Sequence, residues 1–219
     1  MRQGSRPRRD TDLSSELRAR YVRLFVRTAR EICPGWEVVP QFRPALDAIM
    51  RWCLEAPGPL DPSKGLWLGG TNGTGKTTLL AVVKEYCRRI GRLDMKGNLY
   101  GYRITNVAEV CKAYEREGGA GIATYIESPR QAFDELGVDP SATGHFGTPL
   151  NVMQHVFLAR YDRRRDSFTH VTTNLDMDQV REIYGPKVYD RIKEMFNFII
   201  LTGKSLRGGA IKPLVCEMD

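Results

Sequence analysis

The stretch GGTNGTGKTT, residues 69–78, decides the fold. From Gly70 to Thr77 it satisfies G-x-x-x-x-G-K-[ST] at every fixed position. Each residue type has a chemical reason. Glycines let the backbone take positive φ and turn successive N–H groups inward around an anion. Lys76 reaches the outer phosphates of a nucleotide, and the Thr77 hydroxyl can ligate Mg²⁺. The flanks supply the context that the motif needs. Gly65-Leu66-Trp67-Leu68-Gly69 is short and apolar and reads as a buried strand. Leu79, Leu80, Val82, Val83, Tyr86, Cys87 and Ile90 recur at helical spacing until Gly91. Strand, loop and helix together bring a helix N-terminus to the phosphates. Gly70, Thr71, Asn72, Gly73, Thr74, Gly75, Lys76, Thr77 and Thr78 are therefore expected to hold a nucleoside triphosphate.

Outward from the loop, the pattern alternates. A helix is expected from Asp12 to Cys33, ended by Pro34-Gly35, and another from Pro44 to Glu55, ended by Pro57-Gly58-Pro59. Gly101–Thr105 reads as a strand, followed by a helix from Asn106 to about Glu117 and a break at Gly118-Gly119. A helix over Asn151–Arg164, strands at Phe168–Thr173 and Phe198–Leu201, and two short helices between those strands complete the reading. Strands alternating with helices imply an α/β fold with a parallel sheet covered on both faces. The expected organisation is a basic arm over residues 1–10, a helical extension over 11–59 and a nucleotide-binding core over 60–219.

The 219 residues are 42% hydrophobic and 27% charged, ordinary values for a globular chain with a real core. Five cysteines form no C-x-x-C pair and lack a histidine at metal spacing, which fits reduced thiols in a cytoplasmic protein. No apolar run reaches membrane-spanning length, and no apolar segment near Met1 resembles a secretory signal. Asp10, Asp12 and Glu16 argue against an organellar transit peptide despite the arginines around them. The net charge of +7 is concentrated at one end, where residues 1–30 hold nine arginines against three acids. Such an arm suits a phosphate backbone or an acidic partner, or is simply a solvated tail.

Asp134-Glu135, in QAFDELG, is the candidate acidic pair, Asp134 for the metal and Glu135 as the base that orients water. The segment before it is apolar only at Ala132 and Phe133 and contains Pro129, so an exposed acidic turn is the competing reading. Asn174 ends the strand THVTT, where an amide could hold the attacking water, although asparagine is also common in turns. Arg191 and Arg207 read, on residues alone, as surface arginines.

Taken together, GGTNGTGKTTL, FDELG, RYDRR…THVTTNL and YGPKVYDRIKEM…ILTGKSLR resemble the AAA+ ATPases of the DnaC/DnaI helicase-loader and IstB transposition-helper group over roughly residues 60–207. The resemblance implies a P-loop ATPase of AAA+ type without a separate C-terminal lid domain, using ATP and Mg²⁺. It implies that Asn174 is sensor 1, that Arg191 is an arginine finger acting on a neighbouring subunit, and that Arg207 is a second sensor. It also implies action on single-stranded DNA, a helicase or transposase as partner, and homo-oligomers in the ATP state. By position, Lys112, Tyr114, Arg116 and Tyr125 would meet the DNA, with Arg6, Arg8 and Arg9 of the arm adding charge. Two other functions stay open: an adaptor that assembles with nucleotide but does not turn it over, and a small-molecule kinase.

Overall fold

The computed structural model describes residues 14–94, 97–140, 142–145, 148–164, 167–203 and 205–206. Strand β1 (Gly65–Gly69) is buried at every position, as its apolar sequence requires of a central strand. Four more strands run parallel to it: β2 (Arg103–Asn106), β3 (Arg130–Leu136), β6 (Phe168–Thr173) and β7 (Phe196–Ile200). Their order is β2-β3-β6-β1-β7. The chain leaves β1 for the far edge at β2 and returns through β3 and β6. This brings the carboxyl ends of β3 and β6 beside the loop that follows β1, where ligands bind in open α/β sheets.

Alternation along the strands divides the core. Leu66, Leu68 and Ala132 face one side, beneath α1 (Ser15–Ile32), α2 (Arg43–Cys53) and α3 (Lys76–Arg89). Trp67, Phe133 and Val171 face the other, beneath α4 (Val107–Glu117), α5 (Gly119–Glu127), α6 (Val152–Asp162) and α7 (Met177–Met195). The helical extension thus shares the core of the sheet, with Phe25, Ala29, Ile49 and Trp52 buried against α3 and β1.

Several boundaries differ from the sequence reading, each for a local reason. Helix α1 starts at Ser15, capped by the Ser14 hydroxyl, which accepts from the Leu17 N–H; Asp12 lies outside the described residues. Gly118, at φ 59°, ends α4 as expected but also begins α5, a helix the sequence reading lacked. A hairpin of β4 (Thr143–His145) and β5 (Thr148–Leu150) was not anticipated either. The two short helices expected after Asn174 are the two halves of α7, kinked at Gly185 (φ 82°) and Pro186. The kink frees the carbonyls of Ile183 and Tyr184, and Asn151 Nδ2 (2.9 Å) and Gln154 Nε2 (2.8 Å) donate to them. Asn151 and Gln154 belong to the start of α6, so α6 braces the second half of α7.

The strand before Asp134 exists and the acidic pair lies on it rather than in a turn, with Asp134 buried and Glu135 exposed. Its polar residues are individually satisfied: Gln131 Nε2 donates to Thr105 Oγ1 at 2.8 Å, and Arg130 donates to the Leu99 carbonyl while pairing with Asp94.

Candidate functional site

The glycine-rich loop wraps the N-terminus of α3, whose cap residue Gly75 sits at φ 84°. Gly70 is equally constrained: at φ 128° it lies so close to the segment after β7 that a Cβ would meet the Leu201 carbonyl oxygen at 2.1 Å. That segment runs back along the loop. Leu201 N–H donates to Gly69 O, Thr71 Oγ1 donates to Gly203 O, and Leu206 N–H donates to Gly73 O. Asn72, Gly73, Thr74, Gly75, Lys76, Thr77 and Thr78 line a cavity of about 480 Å³. Thr71 instead serves the loop, its carbonyl accepting from Lys76 Nζ and from Thr74 Oγ1.

Lys76 is 8% exposed, and its ammonium donates to Gly70 O at 2.9 Å, Thr71 O at 2.8 Å and Asn174 Oδ1 at 2.7 Å. The end of β6 and the loop after β1 are joined through this one cation. Thr77 Oγ1 donates to Asp134 Oδ1 at 2.9 Å. The same carboxylate oxygen accepts from Thr172 Oγ1 at 2.5 Å. Thr172 in turn accepts the Glu135 N–H at 2.9 Å. The register between β3 and β6 shifts between Phe133 and Leu136, and Glu135 takes φ 61°, a left-handed value seldom adopted outside glycine. The bulge re-aims the Glu135 side chain, which lines the cavity while accepting from Asn106 Nδ2 at 2.7 Å. Asn106 also caps α4 with its Oδ1, which accepts the Ala108 N–H, so a single amide links Glu135 to that helix.

The sequence reading therefore located the loop, Asp134, Glu135 and Asn174, and the structure brings all of them together. It missed three contributors. Thr172 was read only as part of a strand, although a threonine pair directly before Asn174 was a visible signal. Asn106 was read only as the start of a helix. The third is the apolar part of the cavity lining: Trp36, Val39, Phe42 and Leu46 of the N-terminal extension, with Leu201 and Leu206 beside the loop. One cavity is thus lined both by the lysine-bearing loop and by apolar side chains, the mixture that a base-plus-phosphate ligand requires.

The donor set fits a hard divalent cation. Thr77 and Asp134 offer oxygen atoms beside the lysine-bearing loop, and among the described residues no cluster of histidine, cysteine and carboxylates competes with them.

Other candidates lie elsewhere. Arg191 is half-buried on the second half of α7 and does not line the cavity. Its guanidinium lies 4.6 Å from the ring centroid of Tyr161, over which Arg164 also stacks at 3.9 Å, and Tyr161 Oη donates to Glu194 Oε2 at 2.7 Å. Lys112 and Arg116 are exposed on α4. Tyr114 and Tyr125 are only 7% and 8% exposed, packed among Val110, Ile122 and Phe133, so their rings present no stacking surface. The expectation that these two tyrosines meet DNA bases is corrected accordingly: helical spacing turns both inward. Arg6, Arg8, Arg9 and Arg207 lie outside the described residues. No helix among the described residues is long and apolar enough to cross a membrane.

No family model matches this sequence, and no curated protein does. Solved structures do. The structure of DnaI superposes with a TM-score of 0.56 at 22% identity, covering 81% of this chain and 93% of that one. That of the DnaC helicase loader gives 0.55 at 18% identity, covering 78% and 95%. AMPPCP-bound DnaA from Aquifex aeolicus gives 0.50 at 13% identity, covering 76% of this chain and 48% of that one. The sheet order and its carboxyl-end loop thus define a P-loop fold of AAA+ type. More narrowly, the fold is the one seen in the DnaI and DnaC structures.

Proposed function

We propose that this chain is a Mg²⁺-dependent ATPase of the DnaC/DnaI and IstB-like group, acting on single-stranded DNA as a helicase loader or transposition helper. The observation that carries the reading is the convergence of Lys76, Thr77, Thr172, Glu135 and Asn174 on one cavity that apolar side chains also line, with Asp134 hydrogen-bonded to Thr77 and Thr172. Thr77 and Asp134 would hold Mg²⁺, which neutralises charge on the transferred phosphoryl group. Lys76 would bind the outer phosphates. Glu135 would accept a proton from the attacking water and Asn174 would orient it. The apolar side chains of Trp36 and Phe42 would take the base.

Arg191 is absent from its own cavity, which supports a role on the site of a neighbouring copy. An arginine supplied in trans stabilises charge in the transition state and contributes on the order of 10³-fold or more to the rate. Arg207 would be the second sensor. The hydrogen bond from Asn106 to Glu135 favours a second reading beside the first, in which the base is held until α4 moves and the protein otherwise acts as a nucleotide-ordered adaptor. The small-molecule kinase has no comparable observation in its favour.

The test is steady-state ATP hydrolysis with and without single-stranded DNA, with Lys76→Ala as the blank. Turnover rising with both DNA and protein concentration supports an assembling, DNA-coupled ATPase. ATP binding with turnover no greater than the blank leaves the adaptor.

A further inference from the structure

Charge on the described surface is segregated, and not where a DNA site on α4 and α5 would need it. Those two helices carry Lys112 and Arg116 against Glu109, Glu115, Glu117 and Glu127. Helix α1 carries five arginines against Glu16 and Glu31. Arg18 is engaged with Asp47 of α2 at 2.7 Å. The other four, Arg20, Arg23, Arg27 and Arg30, follow spacings of three and four residues, so they stand in one row, all exposed. The row faces away from the buried side of α1, which is formed by Phe25, Thr28 and Ala29. It extends about 15 Å along the axis at 1.5 Å per residue.

Little neutralises the row. Glu16 lies at its N-terminal end. Arg27 pairs with Glu31 at 2.9 Å, but Glu31 is shared with Arg89 of α3 at 2.6 Å. Arg20, Arg23 and Arg30 have no acidic partner among the described residues. A merely solvated helix face mixes signs and uses lysine as readily as arginine, yet α1 contains no lysine.

We propose that the outer face of α1 is a docking surface for the phosphate backbone of duplex DNA, distinct from the nucleotide site and from any single-strand contact. Guanidinium groups match phosphate oxygens in pairs, which a row of ammonium groups does not. Duplex fits better than single strand on two counts. Single-strand sites combine basic grooves with aromatic rings on which bases stack, and the only aromatic of α1 near the row, Tyr21, is half-buried against α3. The face is also a convex helix rather than a groove, suited to lie against a backbone of dense, regular charge.

The proposal does not depend on ATP hydrolysis, and its test is separable from that of the proposed function. The full chain is titrated by fluorescence anisotropy against a labelled random duplex and a labelled oligothymidylate over a range of NaCl. The variant is Arg20→Gln/Arg23→Gln/Arg30→Gln, in which glutamine keeps helix propensity and circular dichroism verifies the fold. Three lost phosphate contacts should reduce the salt slope for duplex by about 2.7, equivalent to an affinity loss of a few hundredfold at 0.1 M salt. Oligothymidylate binding should change far less, and Lys112→Gln/Arg116→Gln should leave duplex binding intact. An unchanged duplex slope and affinity in the triple variant overturns the proposal and leaves the row to an acidic protein. Equal losses on both DNAs overturn the duplex assignment.

Discussion

Replacing Thr172 with valine should disable the site while preserving its shape. The Thr172 hydroxyl donates its single hydrogen to Asp134 Oδ1 at 2.5 Å and accepts the Glu135 N–H at 2.9 Å. Valine fills nearly the same volume and can do neither. Asp134 keeps the bond from Thr77 but loses a charge-assisted one, worth about 1.5–3 kcal/mol. The Glu135 N–H is left without its partner, costing about 1–3 kcal/mol. Partial relaxation at the cavity edge should bring the net destabilisation to about 3 kcal/mol. The backbone at Glu135 is held at φ 61° beside this bond, so losing it should also let the carboxylate wander. Urea unfolding and ATP turnover are the assays. Thr172→Val should lower stability by about 3 kcal/mol and turnover at least tenfold, with nucleotide affinity much less affected, because Lys76 and the loop amides remain. Thr172→Ser, which keeps the hydroxyl, should stay within about 1 kcal/mol of the parent. A valine variant as stable and as active as the parent would refute the argument.

Other residues give further expectations. Asn106→Asp keeps the α4 cap but replaces the amide donor to Glu135 with a repelling carboxylate, so turnover without DNA should change while thermal stability moves little; Asn106→Ala should cost about 1 kcal/mol more through the lost cap. His170 is fully buried, with Nδ1 accepting the Leu66 N–H and Nε2 bonded to Tyr100, and burial lowers its pKa from 6.5 to about 3. The unfolded chain therefore binds this proton first, and the stability that the neutral ring contributes is full above pH 6.5 and lost as pH falls towards 3. About 2 kcal/mol should disappear between pH 7 and pH 5 at 1.36 kcal/mol per unit, measurable by urea titration and flattened in His170→Gln. Tyr161→Phe should retain the platform under Arg191, whereas Tyr161→Ala should lower assembled turnover several-fold without altering nucleotide affinity.

Legibility in the sequence followed the range of the interactions. Contiguous chemistry was plain: the loop at 70–78, β1 before it and α3 after it all stand as read. The strand carrying Asp134 was faint because Gln131 and Arg130 are satisfied by Thr105, Leu99 and Asp94, which lie about 25 to 36 positions away in sequence. Tyr114 and Tyr125 looked like stacking surface because composition cannot say which way a helix faces; the burial of Val110, Cys111 and Ile122 beside them decides it. The share of Trp36 and Phe42 in the cavity was invisible, since no motif ties a segment before β1 to a loop after it. Fully buried Arg160 is a similar case. It sits in RYDRR among arginines that read as a basic helix end, yet it donates to the carbonyls of Tyr125, Ser128 and Phe168 and joins α5 to α6 and β6.

If Arg191 completes the site of the neighbouring copy, mixing two inactive variants should restore activity. Lys76→Ala destroys the phosphate site but keeps Arg191; Arg191→Ala does the reverse. Each alone should hydrolyse ATP on the order of 10³-fold more slowly than the parent, or worse. Mixed in equal amounts with ATP and single-stranded DNA, they should recover about a quarter of parental turnover, because one head-to-tail interface in four joins two intact halves. A mixture as inactive as its components, or an Arg191→Ala protein as fast as the parent, would rule out a site completed in trans by Arg191.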